Sequence, residues 1–396
     1  MDLHWLKPLL GRPAPFVTVV LDATAAAGGE TEALERWRAL RRCVDADQVA
    51  HAVLDEIGEL LAVPDGRRGT HGRIVVADAH GVVVDRMLAV PPSSDSVTVG
   101  PVPVLWPVIR AAEETVRLLV AAVDRTGASL TRVTTGEREP ATATTTVSGD
   151  HDDVHKVREG GLSRSTQTRA EDSWQRNAET VAHALDAAVA DDPVDLVVLT
   201  GDLRAVALVR DAVGRPTRER LVEVAGGGRG EGVHAEAFKA RLGEAVAAFR
   251  ARRRGAVLAR FAEALGRGDG AVSGLADVVD VLCRGQVAEL VLLTDALDAA
   301  LGARELWVGA QPLQLATSAG DLDAMGSTAP PRRMTAHVAL VRAALGQDAG
   351  VTLAEPGELQ AADGVAALLR WSDQGTPPGA DLLSQSADRN RLRSLG

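Results

Sequence analysis

Residues 156–169 combine residue types that suit contact with phosphate groups. This segment, KVREGGLSRSTQTR, contains two adjacent glycines, four cations and five hydroxyl or amide side chains. The cations are Lys156, Arg158, Arg164 and Arg169. Cationic side chains neutralise phosphates, and glycines let a bare backbone approach a crowded surface. The segment therefore predicts either a mobile surface loop or a projecting finger that holds phosphates.

A second basic stretch lies at residues 239–254, where six cations and one acidic residue give a net charge of +5. Four of these cations, Arg250, Arg252, Arg253 and Arg254, stand almost side by side. Along a helix they would form either a solvated face or a face that binds RNA phosphates. Both interpretations stay open, because a run of charged residues looks the same in the sequence in either case.

Three short motifs are poor matches to known chemistry. His151 and His155 have the spacing of a zinc-protease helix, but the neighbouring acid is Asp, which favours surface histidines over a metal site. The glycine-rich residues 226–232 have neither the Lys of a Walker loop nor a dinucleotide fingerprint, so a flexible strand-to-helix connection is favoured. Residues 161–165 end in Ser165 where a serine hydrolase elbow has glycine, which disfavours that chemistry.

The composition excludes several classes of function. The chain has 396 residues and a net charge of −11, so any RNA contact must use a local basic face. Cys43 and Cys283 are its only cysteines, which excludes a disulfide framework and a cysteine-based zinc site. The sequence has no run of about 18 apolar residues and no signal-peptide pattern. We therefore expect a soluble, cytoplasmic protein with no metal, no cofactor and no membrane or DNA partner.

The elements that position these residues begin with a strand pattern at residues 16–21. A helical span follows at Leu34 and continues toward Leu60, and residues 73–87 predict a hairpin. Five prolines within residues 91–107 predict an extended connector. The first part of the chain is thus expected to form a small α/β unit.

The middle of the chain predicts a strand, a tight turn and a strand at residues 118–133. A loop or an exposed edge strand follows within residues 137–150. A helix is expected from about Asp172, with an apolar stripe that starts at Trp174. Strand, helix and strand alternate through residues 195–224, which favours a parallel or mixed sheet.

The last part of the chain predicts a long helix at residues 235–265 and a shorter one at residues 275–282 that ends at Gly285. Short strands are expected at residues 288–293, 305–308 and 337–341. Residues 373–396 have no periodic pattern and predict a disordered tail. These elements together indicate an α/β fold in which each domain is a mixed sheet with flanking helices.

Several motifs occur in a telling order. The hairpin VDRTGAS at residues 123–129 is followed by the Gly-Gly pair at residues 160–161 and by the helix EDSWQRNAETV at residues 171–181. This order resembles the middle domain of archaeo-eukaryotic class-1 peptide release factors and Pelota. Residues 273–295 resemble the C-terminal domain of that superfamily. The opening strand with its proline-rich connector, and residues 362–371, are similar to the actinobacterial branch that includes Balon-type ribosome hibernation factors.

The resemblance implies a release-factor-like architecture of three α/β domains, at residues 1–115, 116–255 and 256–375, with a disordered tail at residues 376–396. It implies a protein that occupies the ribosomal A site, with the N-terminal domain near the decoding centre. The loop of the middle domain would lie near the peptidyl-transferase centre. That loop consists of Gly160, Gly161, Leu162, Ser163 and Arg164.

The resemblance also raises the question of hydrolysis. Release factors have Gly-Gly-Gln in this loop, whereas Leu162 follows the glycines here. Leucine keeps the backbone N–H that stabilises developing charge and lacks the side-chain amide that helps to place water. The leucine therefore disfavours hydrolysis, which stays open as an alternative. Related bacterial peptidyl-tRNA hydrolases have a catalytic glutamine a few residues later, and Gln167 is the residue that could take this role.

Three functions follow as hypotheses. The first is a non-hydrolytic hibernation or stress factor that binds rRNA in the A site, for which the resemblance implies elongation factor Tu as a partner. The second is a peptidyl-tRNA hydrolase that rescues stalled ribosomes. The third is a stress-related α/β protein that binds another protein without touching RNA, which the acidic net charge favours.

Overall fold

A computed structural model describes most of residues 4–377. The gaps within this range are residues 13, 25–31, 46–48, 64–69, 89–90, 93, 105, 108, 110–112, 114, 136–143, 149–163, 230–234 and 327–329. The side chains of residues 164–172 lie outside the description as well. The chain forms two compact units, of which unit 1 comprises residues 1–113 and 252–396 and unit 2 comprises residues 114–251. The expected division into three domains stays a prediction.

The first half of unit 1 is a four-stranded antiparallel sheet with two helices packed on it, preceded by the 3-10 helix His4–Leu9. The strands, in the spatial order β3-β2-β1-β4, are β1 Phe16–Asp22, β2 Gly72–Asp78, β3 Gly81–Leu88 and β4 Ser96–Gly100. The helices are α1 Glu32–Arg41 and α2 His51–Ala62. Trp37 and Ile57 of these helices are buried against Val19 and Val75 of the sheet. The sheet therefore has a covered face built from alternate strand residues.

Two expectations for this region need correction. The helical span expected to continue through Leu60 is two separate helices, because the chain leaves the helix after Arg41 and re-enters it at His51. The proline-rich connector contains strand β4, in which Val99 lies opposite Val17 of β1. Residues 96–100 hold β-branched residues between the prolines, and this local preference overrides the connector pattern.

Unit 2 is a five-stranded mixed sheet between two layers of helix. The strands, in the order β7-β6-β5-β8-β9, are β5 Arg117–Asp124, β6 Gly127–Thr134, β7 Thr144–Ser148, β8 Leu196–Gly201 and β9 Leu221–Glu223. The helices are α3 Arg164–Asp191, α4 Leu203–Ala212, α5 Arg215–Arg218 and α6 Ala235–Arg267, of which α6 continues into unit 1 after residue 251. The predicted tight hairpin and mixed sheet are confirmed.

The two faces of this sheet have separate cores. Helices α3 and α4 cover one face, where Leu185 and Val209 pack with Leu199. The first part of α6 covers the other face, where Val246 packs with Val198. Because β8 is buried on both faces, all of its side chains from Leu196 to Thr200 are apolar or small, as in a central parallel strand.

The second half of unit 1 contains two further sheets. One has the strands β10 Ala271–Ser273, β11 Val287–Leu293, β15 Gly350–Ala354 and β16 Val365–Leu369, in the order β10-β16-β11-β15. The other has β12 Glu305–Val308, β13 Leu315–Ala316 and β14 Arg332–Thr335, in the order β13-β12-β14. The helices are α7 Leu275–Cys283, α8 Thr294–Asp298, α9 Ala319–Ala324 and α10 Ala336–Gly346, with a 3-10 turn at Ala362–Gly364.

The strand expected at residues 337–341 is wrong, because these residues lie in helix α10. Val338, Ala339, Leu340 and Val341 are all buried, so the helix contacts the core on every side. A helix of this kind shows no one-sided periodicity, and a short apolar run cannot be told from a buried strand by pattern alone.

The two cysteines differ in their surroundings. Cys283 ends α7 and its thiol donates a hydrogen bond to the Leu315 carbonyl at 3.0 Å. Burial raises the pKa of this thiol to about 11. Cys43 is exposed. Gly285 has φ +71°, the left-handed conformation with which helices commonly end.

Candidate functional site

The ends of several strands meet at one edge of the unit 2 sheet. Because β5, β8 and β9 are parallel, Asp124 at the end of β5 and Asp202 after β8 lie along the same edge. Strands β6 and β7 are antiparallel to their neighbours, which places Gly127 and Ser148 there too. We call this region, formed by these four residues and their neighbours, the carboxyl edge. Ligands of open α/β sheets bind outside the carboxyl ends of the strands.

Asp124 is the centre of a hydrogen-bonded turn at the carboxyl edge. Its Oδ1 accepts hydrogen bonds from the Thr126 N–H at 2.8 Å, the Thr126 hydroxyl at 2.6 Å and the Gly127 N–H at 3.0 Å. The guanidinium of Arg229, from the glycine-rich segment after β9, donates to the same oxygen at 3.0 Å. Arg229 also donates to the Ser129 hydroxyl at 3.3 Å. The segment after β9 is thereby fastened to the β5–β6 hairpin.

These contacts keep Asp124 ionised. Partial burial raises the pKa of its carboxyl, but the hydrogen bonds from Thr126 and the positive charge of Arg229 outweigh burial, so the pKa lies below its ordinary value of 3.8. At neutral pH this group is a carboxylate that accepts hydrogen bonds and balances the charge of Arg229. It is therefore suited to positioning rather than to proton donation.

Trp174 of α3 gathers two arginines at the carboxyl edge. The Cζ atoms of Arg125 and Arg204 lie 4.6 Å and 5.3 Å from the centre of its ring, which is the range of cation–π attraction. Arg125 Nε also pairs with Asp202 Oδ2 at 3.5 Å, and the Arg125 carbonyl accepts a hydrogen bond from Asn177 Nδ2 at 2.9 Å. Asp202 caps α4 by accepting from the Arg204 N–H at 3.0 Å.

Two glycines allow the strands of the carboxyl edge to approach each other. Gly201 has φ +127°, and a Cβ atom at this position would lie 1.9 Å from the Val123 carbonyl oxygen. Gly127 has φ +153°, and its Cβ would lie 2.0 Å from the Val147 carbonyl oxygen. A side chain at either position would therefore force neighbouring strands apart.

Most of the predicted finger lies outside the described residues, namely Lys156, Arg158, Gly160, Gly161, Leu162 and Ser163. The described chain before it ends at the carboxyl edge, and the described chain after it begins with helix α3. Ser148 is paired with Gly127, and α3 starts at Arg164, about 15 Å along the helix axis from Trp174. The proposed roles of the finger residues stay predictions.

Arg164, Gln167 and Arg169 lie within α3, so the helix start expected near Asp172 is wrong. No glycine or proline occurs between residues 162 and 172, and nothing in this stretch stops a helix. The backbone of Gln167 is therefore helical rather than part of a loop. Its position precedes Trp174 by two turns, or about 10 Å along the axis.

The arginines of the predicted basic face take part in contacts within the protein. Arg253 Nη2 donates to the Glu113 carbonyl at 2.7 Å, and Arg254 pairs with Glu358 at 2.9 Å. Both side chains are half-buried in unit 1. These two guanidinium groups therefore have a structural use that their positions in the sequence do not reveal.

The other two arginines of this run differ from each other. Arg250 is half-buried, and its Nη2 lies 3.4 Å from the Thr135 hydroxyl in unit 2. Arg252 is exposed. RNA binding by all four arginines stays a prediction, and Arg252 is the one whose side chain is open to solvent.

The remaining motifs have structural explanations or lie outside the description. His151 and His155 belong to the gap at residues 149–163. Gly227 donates its N–H to the Thr200 hydroxyl at 3.0 Å, in a turn after β9 as expected for a connection. Within the described parts of the chain, no group of three or more His, Cys, Asp or Glu could hold a metal ion. No described helix has the length and hydropathy needed to span a bilayer.

Sequence reasoning missed the cations of the carboxyl edge. Arg125, Arg204 and Arg229 are scattered along the chain, and Trp174 was expected only as part of an apolar stripe. The available signals were the tight turn after β5, the polar residue after β8 and the rule that parallel strands end at one edge. The sequence predicts the tight turn, and the rule for parallel strands places this turn beside the residue that follows β8.

Part of the chain matches a known family in sequence. Residues 117–267, from the start of β5 to the end of α6, match the sequence model of bacterial archaeo-eukaryotic release factor family 2. This part of the chain is thus similar to the release factor family that its motifs predict. Its assignment to the Balon-type branch stays a prediction.

Other similar proteins match the chain over more than residues 117–267. The uncharacterized protein Rv2629 of Mycobacterium tuberculosis strain H37Rv is 27% identical over 384 residues, covering 93% of this chain and 96% of that protein. Dom34 of S. cerevisiae, described as a translation termination-like factor that interacts with Hbs1, is 11% identical with a TM-score of 0.40 and covers 78% of this chain and 82% of its own. A ribosome-bound archaeal Pelota is 13% identical with a TM-score of 0.38 and 93% coverage of both chains. At these TM-scores the likeness to release factors rests on the sequence match at residues 117–267.

Proposed function

We propose that this protein binds the ribosomal A site and holds idle or stressed ribosomes in a protected state without hydrolysing peptidyl-tRNA. One observation carries the proposal. Within the matched release-factor region, residues 117–267, Gly160 and Gly161 are followed by Leu162. Release factors have glutamine at that point, as the resemblance implies.

The replacement of glutamine by leucine affects hydrolysis more than binding. The two glycines keep the freedom to bring a bare backbone into a tight RNA pocket. Leu162 keeps the backbone N–H that can stabilise an oxyanion, but it has no amide with which to orient water. A chain with this loop is suited to occupying the site and poorly suited to catalysing hydrolysis there.

The carboxyl edge supports the RNA-binding part of the proposal. Arg125, Arg204 and Arg229 are gathered at the same edge as Ser148 and the α3 helix, between which the Gly-Gly segment lies in the chain. Arginines position proteins on phosphate backbones. Arg125 and Arg229 are paired with Asp202 and Asp124, so the edge supports RNA contact as a cluster of guanidinium groups rather than as a region of large positive charge.

The proposal is tested by sedimentation of the purified protein with vacant 70S ribosomes at several salt concentrations. Wild type is expected to co-sediment, and a map of the complex should show it in the A site. Arg204→Glu places a negative charge on the carboxyl edge and should weaken binding about tenfold, with a shallower salt dependence. Arg215→Glu is the matched control, since this exposed arginine begins α5 after the chain has crossed back along α4.

Two outcomes would overturn the proposal. The first is a lack of co-sedimentation at moderate salt, which would favour the hypothesis of a protein-binding factor without RNA contact. The second is a complex in which the protein lies outside the A site. Equal weakening by Arg204→Glu and Arg215→Glu would contradict the role given to the carboxyl edge.

A second candidate function is peptidyl-tRNA hydrolysis, and the position of Gln167 favours it. This glutamine lies in the first turns of α3, close in sequence to the Gly-Gly pair, and α3 contributes Trp174 to the carboxyl edge. The test is release of labelled peptide from stalled ribosome complexes by wild type and by Gln167→Ala. Release well above background that Gln167→Ala abolishes would establish the hydrolase, whereas background release by both variants would exclude it.

Elongation factor Tu and a cytoplasmic location belong to the same proposal. The resemblance to Balon-type factors implies the partner, and the location accompanies ribosome binding. Co-purification of elongation factor Tu with the ribosome-bound protein, and its loss when ribosomes are omitted, would support delivery or retention by this GTPase. A complex that forms equally without the GTPase would make the partner unnecessary.

A further inference from the structure

A groove of about 590 Å³ lies within unit 1, and none of its lining residues is used in the proposed function. Its apolar lining includes Phe16 and Val99 from the first half of the unit and Met334 and Val338 from the second half. A volume of this size is typical of a binding site for a small molecule or for a few residues of a peptide. The groove is therefore large enough to hold a ligand of its own.

Two edge strands contribute to this groove. Residues 98–100 of β4 and residues 332–335 of β14 line it. Among the described strands, β4 pairs only with β1 and β14 pairs only with β12, so each has one edge without a partner strand. Such an edge has backbone N–H and C=O groups ready to pair with an extended chain.

Arg342 places a donor group in the groove. Its Nη2 donates to the carbonyls of Gly309 at 3.1 Å and Ala310 at 2.6 Å, which fixes the guanidinium. Its Nη1 is buried and has no hydrogen-bond partner among the described residues. Buried donors are normally satisfied, so this atom is an unfilled position for an acceptor oxygen.

Arg332 adds a second cation to the same groove. It is exposed, and no ion pair to it is found in the described part of the chain. Burial and the charge of Arg332 both lower the pKa of Arg342, so the two guanidinium groups repel each other. An anionic ligand would relieve both the repulsion and the unfilled hydrogen bond.

The other charged groups in the groove are already paired. Arg12 pairs with the buried Asp78 at 2.7 Å. Arg333 pairs with Glu305 at 3.1 Å and lies 4.8 Å from the centre of the Trp307 ring. After these pairs are formed, the charge left in the groove is that of Arg332 and Arg342. The ligand that fits is therefore acidic.

We propose that this groove binds an extended acidic peptide segment of a partner protein, which adds as a strand to β4 or β14 and places a carboxylate between Arg332 and Arg342. The unpaired strand edges favour a peptide over a small anion, because a small anion leaves the backbone groups unused. The apolar lining favours a segment in which acidic and aliphatic residues alternate, so that one side of the strand packs on Phe16 and Met334.

The probe is a fluorescein-labelled peptide of sequence Asp-Val-Glu-Val-Asp-Val, and its binding to the full chain is measured by fluorescence anisotropy. Saturable binding is expected for this peptide and not for the counterpart with lysine in place of each acid. An N-methylated version that lacks alternate backbone N–H groups should bind at least about tenfold more weakly, since several hydrogen bonds are lost.

The matched variants separate the groove from general charge effects. Arg332→Glu should weaken binding about tenfold or more, whereas Arg260→Glu, at an exposed arginine of α6 in unit 1, should leave it unchanged. Arg342→Gln removes the second cation and should also weaken binding, provided that circular dichroism shows an intact fold. Equal affinity of Arg332→Glu and wild type would overturn the proposal. If succinate competes as well as unlabelled peptide does, the ligand of the groove is a small dicarboxylate and not a peptide.

Discussion

The carboxyl edge and the basic run at residues 250–254 both contain arginines, but the fold brings these arginines together in different ways. The run is conspicuous in the sequence, yet Arg253 and Arg254 contact a backbone carbonyl and a glutamate of unit 1. The carboxyl edge collects Arg125 and Arg204 from distant parts of the chain around one indole ring. Clustering along the sequence is therefore a poor guide to which cations lie together in the fold.

The two regions also differ in how they depend on the backbone. The carboxyl edge exists because glycines at the strand ends allow carbonyl groups to come within contact of the Cα. The basic run lies on the continuous helix α6, where Gly255 has open space around it. Changes at matched glycines and arginines should therefore have effects of different size and sign.

The largest effect is expected from Gly201→Ala. The added Cβ would meet the Val123 carbonyl oxygen at 1.9 Å, and the φ of +127° is unfavourable for alanine. The free energy of unfolding of unit 2 should fall by more than about 2 kcal/mol. Hydrogen exchange of peptides from β5 and β8 in the full chain measures this change. Protection within about 0.5 kcal/mol of wild type would show that the strand ends tolerate a side chain.

A smaller effect is expected from Arg253→Ala. Loss of the hydrogen bond to the Glu113 carbonyl should destabilise unit 1 by about 1 kcal/mol. Arg252→Ala is the control and should be neutral, because the side chain is exposed. Thermal unfolding of both variants makes the comparison. If the two variants unfold at the same temperature, the distinction between structural and free arginines in the run is wrong.

Asp124→Asn tests the charge of the carboxyl edge through its pH dependence. The carboxyl pKa is lowered in the folded protein, so its stabilising contribution is present above the unfolded value near 3.8 and is lost as pH falls through the lower folded value. The variant should be less stable than wild type by about 1 kcal/mol or less at pH 7, and the two should converge in acid. Urea unfolding at a series of pH values checks this. A difference that is constant from pH 7 to pH 3 would exclude a role for the charge.

The smallest effect is expected from Gly255→Ala, and it has the opposite sign from Gly201→Ala. A Cβ at this position has nothing within 4 Å, and alanine is the better helix former. Stability should rise by about 0.5 kcal/mol, measured by urea unfolding. A loss of stability would mean that the helix surface is less open than the structure indicates.

The sequence predicted the elements of unit 2 well, because its patterns are local. The tight turn at Asp124 and the buried strand β8 both followed from turn composition and apolar runs, and the match at residues 117–267 agrees with the motif order. The sequence also predicts the apolar stripe of α3 but not the start of the helix, since the stripe begins only at Trp174 and the helix begins at Arg164.

The features that were missed depend on contacts between distant residues. No local pattern indicates that Arg229 returns to Asp124, or that Arg125 and Arg204 share the ring of Trp174. Helix α10 was mistaken for a strand because burial on all sides removes the periodicity that identifies a helix. Contacts of this kind are fixed by topology, which a single sequence shows only indirectly.

The contrast between the two cysteines has a practical consequence. Cys283 is held as a neutral thiol by burial, whereas Cys43 is exposed at the end of α1. Thiolates are the reactive form, so maleimide dyes at neutral pH should attach to Cys43 and spare Cys283. Wild-type protein thus offers one natural attachment point for a fluorophore, through which the proposed ribosome binding can be tested without engineering the chain.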